Sequence, residues 1–310
     1  MDRRPFTLTV AFSALSALAW TARARADNPI RDPYALPDAP RALSLPELTH
    51  AGLEWTTTTA VGALTTGGYN SPEILERLAV EGAIGPRRWY LGLAYEAAYG
   101  APAGPPGPAG LVGGNLELYG RTVWATPTGL AFGGGLGILP PVTTFSSGST
   151  GSNVAIAAIS LQPWDYPFFR TGVLTARPFV DMRTLFGRFI VQFRQSFDFS
   201  LNLNDFAQRD VSAATTVYFG WLAAPMVGVG LETTEYYLID ALVPDGQRAK
   251  VVVAPNVRFL TAGIQPAIGA FVGVGTPLAS AADSVWGLRF ALTFVWEPGR
   301  PVLRALHLFQ

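Results

Sequence analysis

The chain has 310 residues, of which 22 are basic and 22 acidic, so its formal net charge is zero. Charged residues are 14% of the total, well below the roughly 25% of ordinary globular domains, which points to a chain that is largely buried or embedded in lipid. There is no cysteine, which excludes a disulfide scaffold, a thiol catalyst and a thiolate metal site. No basic run is present, and nothing in the charge balance points to nucleic acid.

The N-terminus reads as an export signal. Arg3 and Arg4 precede an uncharged stretch from Pro5 to Trp20, and Ala24-Arg25-Ala26 places small residues where a signal peptidase reads. Residues 1–26 are thus expected to be removed, leaving Asp27 first. Arg3-Arg4-Pro5-Phe6 also resembles a twin-arginine signal. That route carries folded cargo, so the general secretory route is expected for a chain that folds only in its membrane. Residues 27–50, with Pro29, Pro33, Pro37, Pro40 and Pro46, read as a periplasmic lead-in.

Membrane-spanning helices do not fit. The uncharged stretches Phe259 to Ala282 and Thr122 to Trp164 are long enough. The first holds four glycines and two prolines, and the second is broken by Gly133-Gly134-Gly135 and Pro140-Pro141. Only helices and closed barrels satisfy every backbone group in lipid, so a barrel is the expectation.

From residue 51 the apolar period is two. The predicted strands, in order, are 51–63, 74–84, 88–99, 111–125, 129–139, 173–183, 187–200, 209–222, 226–239, 249–260, 263–274 and Trp286 to Trp296. In the third, Trp89, Leu91, Leu93, Tyr95 and Tyr99 alternate with Arg88, Tyr90 and Glu96. The seventh sets Phe189, Val191, Phe193, Phe197 and Phe199, with a lone Gln195, against Arg188, Gln192, Arg194, Ser196 and Asp198, with Ile190. The last sets Trp286, Leu288, Phe290, Leu292, Phe294 and Trp296 against Arg289, Ala291 and Thr293. An apolar face with tryptophan at both ends suits lipid with its two interfaces. A polar opposite face suits a wet lumen.

The connections after the even strands are short, and those after the odd strands are longer, the longest being 140–172. Outer-membrane barrels have short periplasmic turns and long external loops. Residues 153–163 are alanine-rich and off strict alternation, so they read as a short helix inside loop 140–172. Residues 298–310 read as a tail. Counting both as strands would give fourteen instead of twelve. Two acids, Glu76 and Glu235, break the outward faces and are placed toward the external rim.

The two histidines, His50 and His307, supply no metal pair and no His-Glu-x-x-His. No serine stands beside either in sequence. Neither an enzyme nor a cofactor is expected. Gly133-Gly134-Gly135-Leu136-Gly137 lacks phosphate-loop spacing and reads as a place where a strand bends and lumen contents approach.

The candidate site is the inward charge: Arg88, Glu96, Glu117, Arg121, Arg177, Asp181, Arg183, Arg188, Arg194, Asp198, Glu232, Arg258 and Arg289, with Glu81 also inward. A tight turn at Thr184 to Phe186 would set Arg183 across from Arg188, and Arg177 near Arg194. Facing like charges destabilise a strand pair, so acids from other strands would have to offset them. Two readings stand side by side: a basic wall that attracts anionic or polar solutes, as charged rings tune pores, and an ion-pair network that fills the barrel. Loop 140–172 either folds into the mouth or caps the surface.

The signal peptide, the alternating strands, the aromatic-ended last strand and the loop asymmetry together resemble Gram-negative outer-membrane β-barrels over residues 51–297. Arg177-Pro178-Phe179-Val180-Asp181-Met182-Arg183, followed by Gly187-Arg188-Phe189, is similar to a conventional barrel hairpin. The resemblance implies an all-β, up-and-down transmembrane barrel of about twelve strands in the bacterial outer membrane. It also implies the bilayer lipid, a small-molecule solute and the barrel-assembly machinery as partners. Many such barrels end on an aromatic residue that the machinery reads, whereas this chain ends Leu308-Phe309-Gln310. The leading functional expectation is a porin-like channel or transporter for small polar or anionic solutes. A non-conducting structural or adhesive barrel comes second and an outer-membrane hydrolase third.

Overall fold

In the computed structural model the alternation carries through the described residues, which are 41–45, 51–60, 73–84, 89–100, 109–126, 129–146, 148–239, 248–261, 264–274 and 285–296. The strands are β1 (Ala51–Ala60), β2 (Glu73–Ile84), β3 (Trp89–Gly100), β4 (Gly110–Ala125), β5 (Leu130–Leu139) and β6 (Val173–Phe186). They continue with β7 (Phe189–Asn202), β8 (Arg209–Ala224), β9 (Val227–Leu238), β10 (Ala249–Phe259), β11 (Ile264–Val274) and β12 (Trp286–Trp296). Each pairs antiparallel with its sequence neighbours, and β12 closes on β1 from Ala51↔Trp296 to Ala60↔Gly287. Closure leaves no sheet edge, which is what lets strands cross a bilayer. Twelve strands stand, and the count of fourteen does not. The signal segment, the tail, His50, His307 and Arg88 lie outside the described residues.

Side-chain parity follows the sequence. Along β12, Trp286, Leu288 and Phe290 are exposed on the outside while Arg289, Ala291 and Thr293 are buried inside. Trp89, Trp124, Phe189, Trp221 and Phe259 ring the short-turn end of the outer surface, and Tyr99, Phe199, Tyr237 and Trp286 the long-loop end. These are the two aromatic belts of a membrane barrel. Trp124 and Phe132 stack across β4 and β5 with ring centroids 5.7 Å apart.

The β6–β7 hairpin corrects the predicted register. The turn is Gly187-Arg188, with Phe186 opposite Phe189, and not Thr184 to Phe186. Gly187 holds φ of 62°, a left-handed conformation that glycine adopts without steric cost. The shift sets Asp181 opposite Arg194 and Arg183 opposite Gln192. Arginines do not face one another, so the predicted like-charge repulsion is absent.

Loop 140–172 turns into the barrel. Ser149 caps helix α1 (Thr150–Leu161) by accepting a hydrogen bond from the Ser152 amide at 3.2 Å. Pro163 then opens a 3-10 helix, Pro163–Phe169. Val154, Ala155 and Ala158 pack with Phe168 and Phe169 against inward Leu75, Ala94 and Ala98 of β2 and β3. Leu161 packs against Val252, Ala254 and Phe271 of β10 and β11. The inner wall is apolar where this plug rests, and that apolar patch is why the loop is drawn in and does not lie over the surface.

Candidate functional site in the barrel lumen

Below the plug the inner wall is charged. Glu81, Glu96, Glu117, Arg121, Asp181, Arg183, Asp198, Glu232, Arg258 and Arg289 all point inward and are buried, while Arg177 and Arg194 point inward and are half-buried. Arg188 differs from its predicted place, because it sits exposed in the β6–β7 turn.

Unlike charges are interleaved. Arg177 Nε donates to Asp198 Oδ1 at 2.6 Å and its Nη2 to the Trp164 carbonyl at 3.0 Å, and its Nη1 lies 3.7 Å from Glu117. Arg194 grips Asp181 with two hydrogen bonds of 2.6 and 2.9 Å, the two-pronged geometry in which arginine binds carboxylate best. Arg121 is likewise forked onto Glu81 and lies 4.2 Å from the centre of the Tyr90 ring. Arg289 Nη1 lies 3.3 Å from Glu232.

Inward glycines make room for these side chains. A Cβ at Gly137 would stand 2.4 Å from Glu117 Oε1, and one at Gly135 would stand 2.6 Å from the Phe179 ring and 2.8 Å from Arg121 Cβ. The glycine run of β5 is therefore a place of close approach, as its sequence suggested.

Several contributors were missed in sequence, among them Arg77, Asp165, Arg41 and its partner Glu54. Arg77 of β2 pairs with Glu96 at 3.2 Å, and strand parity with inward Glu81 was a signal for it. Asp165 comes in on the plug. Arg41 belongs to residues 41–45, which lie inside the barrel. Its Nη2 donates to Glu54 at 2.6 Å and to Thr293 Oγ1 at 2.7 Å. The Leu43 amide donates to Glu232 at 2.7 Å. Ala42 and Leu45 pack with Ile190 and Tyr218. No pattern in the sequence of this segment marked it for the lumen.

Plug and N-terminal segment enclose a chamber of about 100 Å³, lined among others by Arg41, Arg77, Arg177, Arg194, Trp164 and Asp165. Glu54, Glu81 and Glu117 line the chamber as well, and Glu54 and Glu81 are more exposed than their partners Arg41 and Arg121, but three ion pairs are lopsided the other way. The Arg77, Arg177 and Arg194 side chains are 22, 12 and 19% exposed, while their partners Glu96, Asp198 and Asp181 are 0, 2 and 2% exposed. In each pair the acid lies against the wall and the guanidinium faces the space. Asp165 faces it too. Burial raises its carboxyl, the Arg77, Arg177 and Arg289 guanidiniums lower it, and it ends pushed up to about 6. Among the described residues no cluster of ligating side chains fit to hold a metal ion occurs.

No protein-family model matches the sequence, and no curated protein matches it. Solved structures do match. An outer-membrane channel from Pseudomonas putida F1 superposes with a TM-score of 0.57 at 12% identity, covering 82% of this chain and 97% of that one. The NanC porin superposes with a TM-score of 0.51 at 11% identity, covering 78% and 98%. At such identity the likeness is one of fold. With the closed barrel and its two aromatic belts, it gives the chain the fold of the outer-membrane β-barrels.

Proposed function

We propose that this barrel is a restricted channel for small polar and anionic solutes, whose path runs through the arginine-faced chamber. The observation that carries the reading is the lopsided exposure of three of the ion pairs, those of Arg77, Arg177 and Arg194. Three acids are spent against the wall, and three guanidiniums remain open to whatever enters. A small anion passing there meets donors in a space of low dielectric, where a charged hydrogen bond is strong. The plug α1 with its 3-10 helix sets the size limit from the loop end, and residues 41–45 set it from the turn end. The fold shared with the P. putida channel and the NanC porin agrees with this reading.

Planar-bilayer recording of the chain purified from outer membranes tests it. The expected result is small stepwise conductance that favours anions. Arg177→Ala combined with Arg194→Ala leaves Asp198 and Asp181 without their guanidiniums, and the anion-to-cation ratio should then fall severalfold. A ratio that stays put would remove these arginines from the path.

A second reading, a closed structural barrel, draws on the way the plug and residues 41–45 fill the lumen from both ends. A folded barrel that stays silent would select it.

A further inference from the structure

Loop 140–172 is tied to the wall at one buried side chain. Strand β4 carries a bulge there. Tyr95 of β3 stands opposite Leu116 and Ala97 opposite Gly113, so Gly114 and Asn115 share the single place across from Glu96. A bulge bends its strand and re-aims a side chain. Asn115 is completely buried. Gly114 lies beneath the end of the loop, where a Cβ would stand 3.1 Å from the Phe168 carbonyl oxygen.

Asn115 holds both feet of the loop. Its Oδ1 accepts from the amides of Val142 and Thr143, each at 2.9 Å. Its Nδ2 donates to the carbonyls of Pro167 and Arg170 at 3.0 and 2.9 Å. An asparagine amide offers two donors and an oxygen with two lone pairs, and all four are used. Exchanging its oxygen and nitrogen would set N–H against N–H and oxygen against oxygen, so the network fixes its orientation. Thr143 adds a further tie, from its hydroxyl to the Gly113 carbonyl on the other side of the bulge. Between the two feet run α1 and most of the 3-10 helix, which together are the plug.

We propose that Asn115 is the positioning residue that sets the width of the channel, by tying the two feet of the plug to β4 so that α1 stays inside the lumen. This inference rests on the reading of the plug as the restriction of a channel.

The apolar seat on β2 and β3 and the amide of Asn115 act differently. Apolar burial supplies adhesion without direction, whereas hydrogen bonds fix where the two feet leave the wall. Without Asn115, buried backbone groups at both feet lose a partner while the plug is seated and meet water when it leaves. Its loss therefore penalises the seated plug and spares the displaced one. Aspartate in its place would keep the acceptor and lose the donors, and serine would bring one hydroxyl for four partners.

A single thiol under the plug reads its position. The chain has no cysteine. Ala98→Cys places one at a completely buried site on β3, packed against the plug. It reacts with a water-soluble maleimide when the plug is displaced, so its rate follows the displaced fraction. Asn115→Ala removes all four hydrogen bonds, and the rate should rise by on the order of tenfold for each pair lost, on the order of a hundredfold altogether. Asn115→Asp loses the donor pair alone and should rise by on the order of tenfold. Phe206→Cys, exposed after β7, gives a reference rate that should be the same in every background. The urea midpoint of the heat-modifiable barrel should stay at the parent's value. A labelling rate that does not change overturns the positioning role, and so does a rise matched by a lowered midpoint, which would make Asn115 a support of the barrel. Where Asn115→Ala yields no barrel, Asn115→Asp carries the test, and loss of the barrel in both overturns the role as well. Conductance on the same samples separates the two readings. Faster labelling in a silent barrel keeps the tie and overturns the channel, whereas conductance with unchanged labelling does the reverse.

Discussion

Replacing Arg177 by methionine removes a guanidinium that holds three partners at once. The stem is conserved in length, so packing against Phe168, whose ring lies 5.6 Å from the guanidinium, is largely retained. What is lost is charge and hydrogen bonding. Asp198, 2% exposed, keeps only the Ser212 hydroxyl at 3.4 Å, and Glu117 loses its cation. Unpairing a buried charge costs about 3–5 kcal/mol. The serine donor and access to the chamber place this case near the lower end, at about 3 kcal/mol. Adding Asp198→Asn removes the stranded charge and should return at least about half of that loss, a coupling that a double-mutant cycle reads. Urea unfolding in lipid, followed by the band shift of the heat-modifiable barrel, gives the free energies. An Arg177→Met variant within about 0.5 kcal/mol of the parent, the usual scatter of neutral surface changes, would refute the reasoning. So would a double variant as unstable as the single one.

Two further outcomes follow from the packing. Phe168→Ala empties a completely buried site in the cluster that seats the plug, worth about 3–5 kcal/mol. That energy is felt as plug docking, so conductance steps should grow while the barrel still forms, and unchanged steps would mean that the plug is held by its polar contacts alone. Gly135→Val puts a Cβ 2.3 Å from the Gly120 carbonyl, a backbone atom that cannot move aside without breaking the β4–β5 register. The heat-modifiable band should disappear, and its survival would show that β5 bends more freely than its neighbours suggest.

The barrel itself was legible because lipid outside and water inside impose one simple period. Each of the twelve predicted strands overlaps an observed one, and even the irregular segment 153–163 came out helical, starting three residues earlier at Thr150 under the Ser149 cap. The hairpin register was not legible. Gly187-Arg188 and Thr184 to Phe186 are both acceptable turns by local chemistry, and the deciding factor is the cross-strand match of Asp181 with Arg194 and Arg177 with Asp198, which local pattern does not reveal. Arg188 was misplaced for the same reason. Arg77 was within reach of parity, since it stands four residues before inward Glu81. Arg41 was not, because its place depends on Glu54 and Thr293, 13 and 252 positions away. The inward turn of loop 140–172 follows from Leu75, Ala94 and Ala98, inward apolar residues of separate strands that strand-by-strand alternation did not join into a patch. The plug's apolar residues, Val154 and Phe168 among them, find their partners there.

Conductance of single barrels, recorded for the parent and for Phe168→Ala side by side, tests the central claim most directly. The account predicts small anion-favouring steps in the parent and larger ones in the variant, with both proteins running as folded, heat-modifiable barrels. Two folded barrels that remain silent across voltages and salts would contradict it, and the lumen would then be a filled core and not a path.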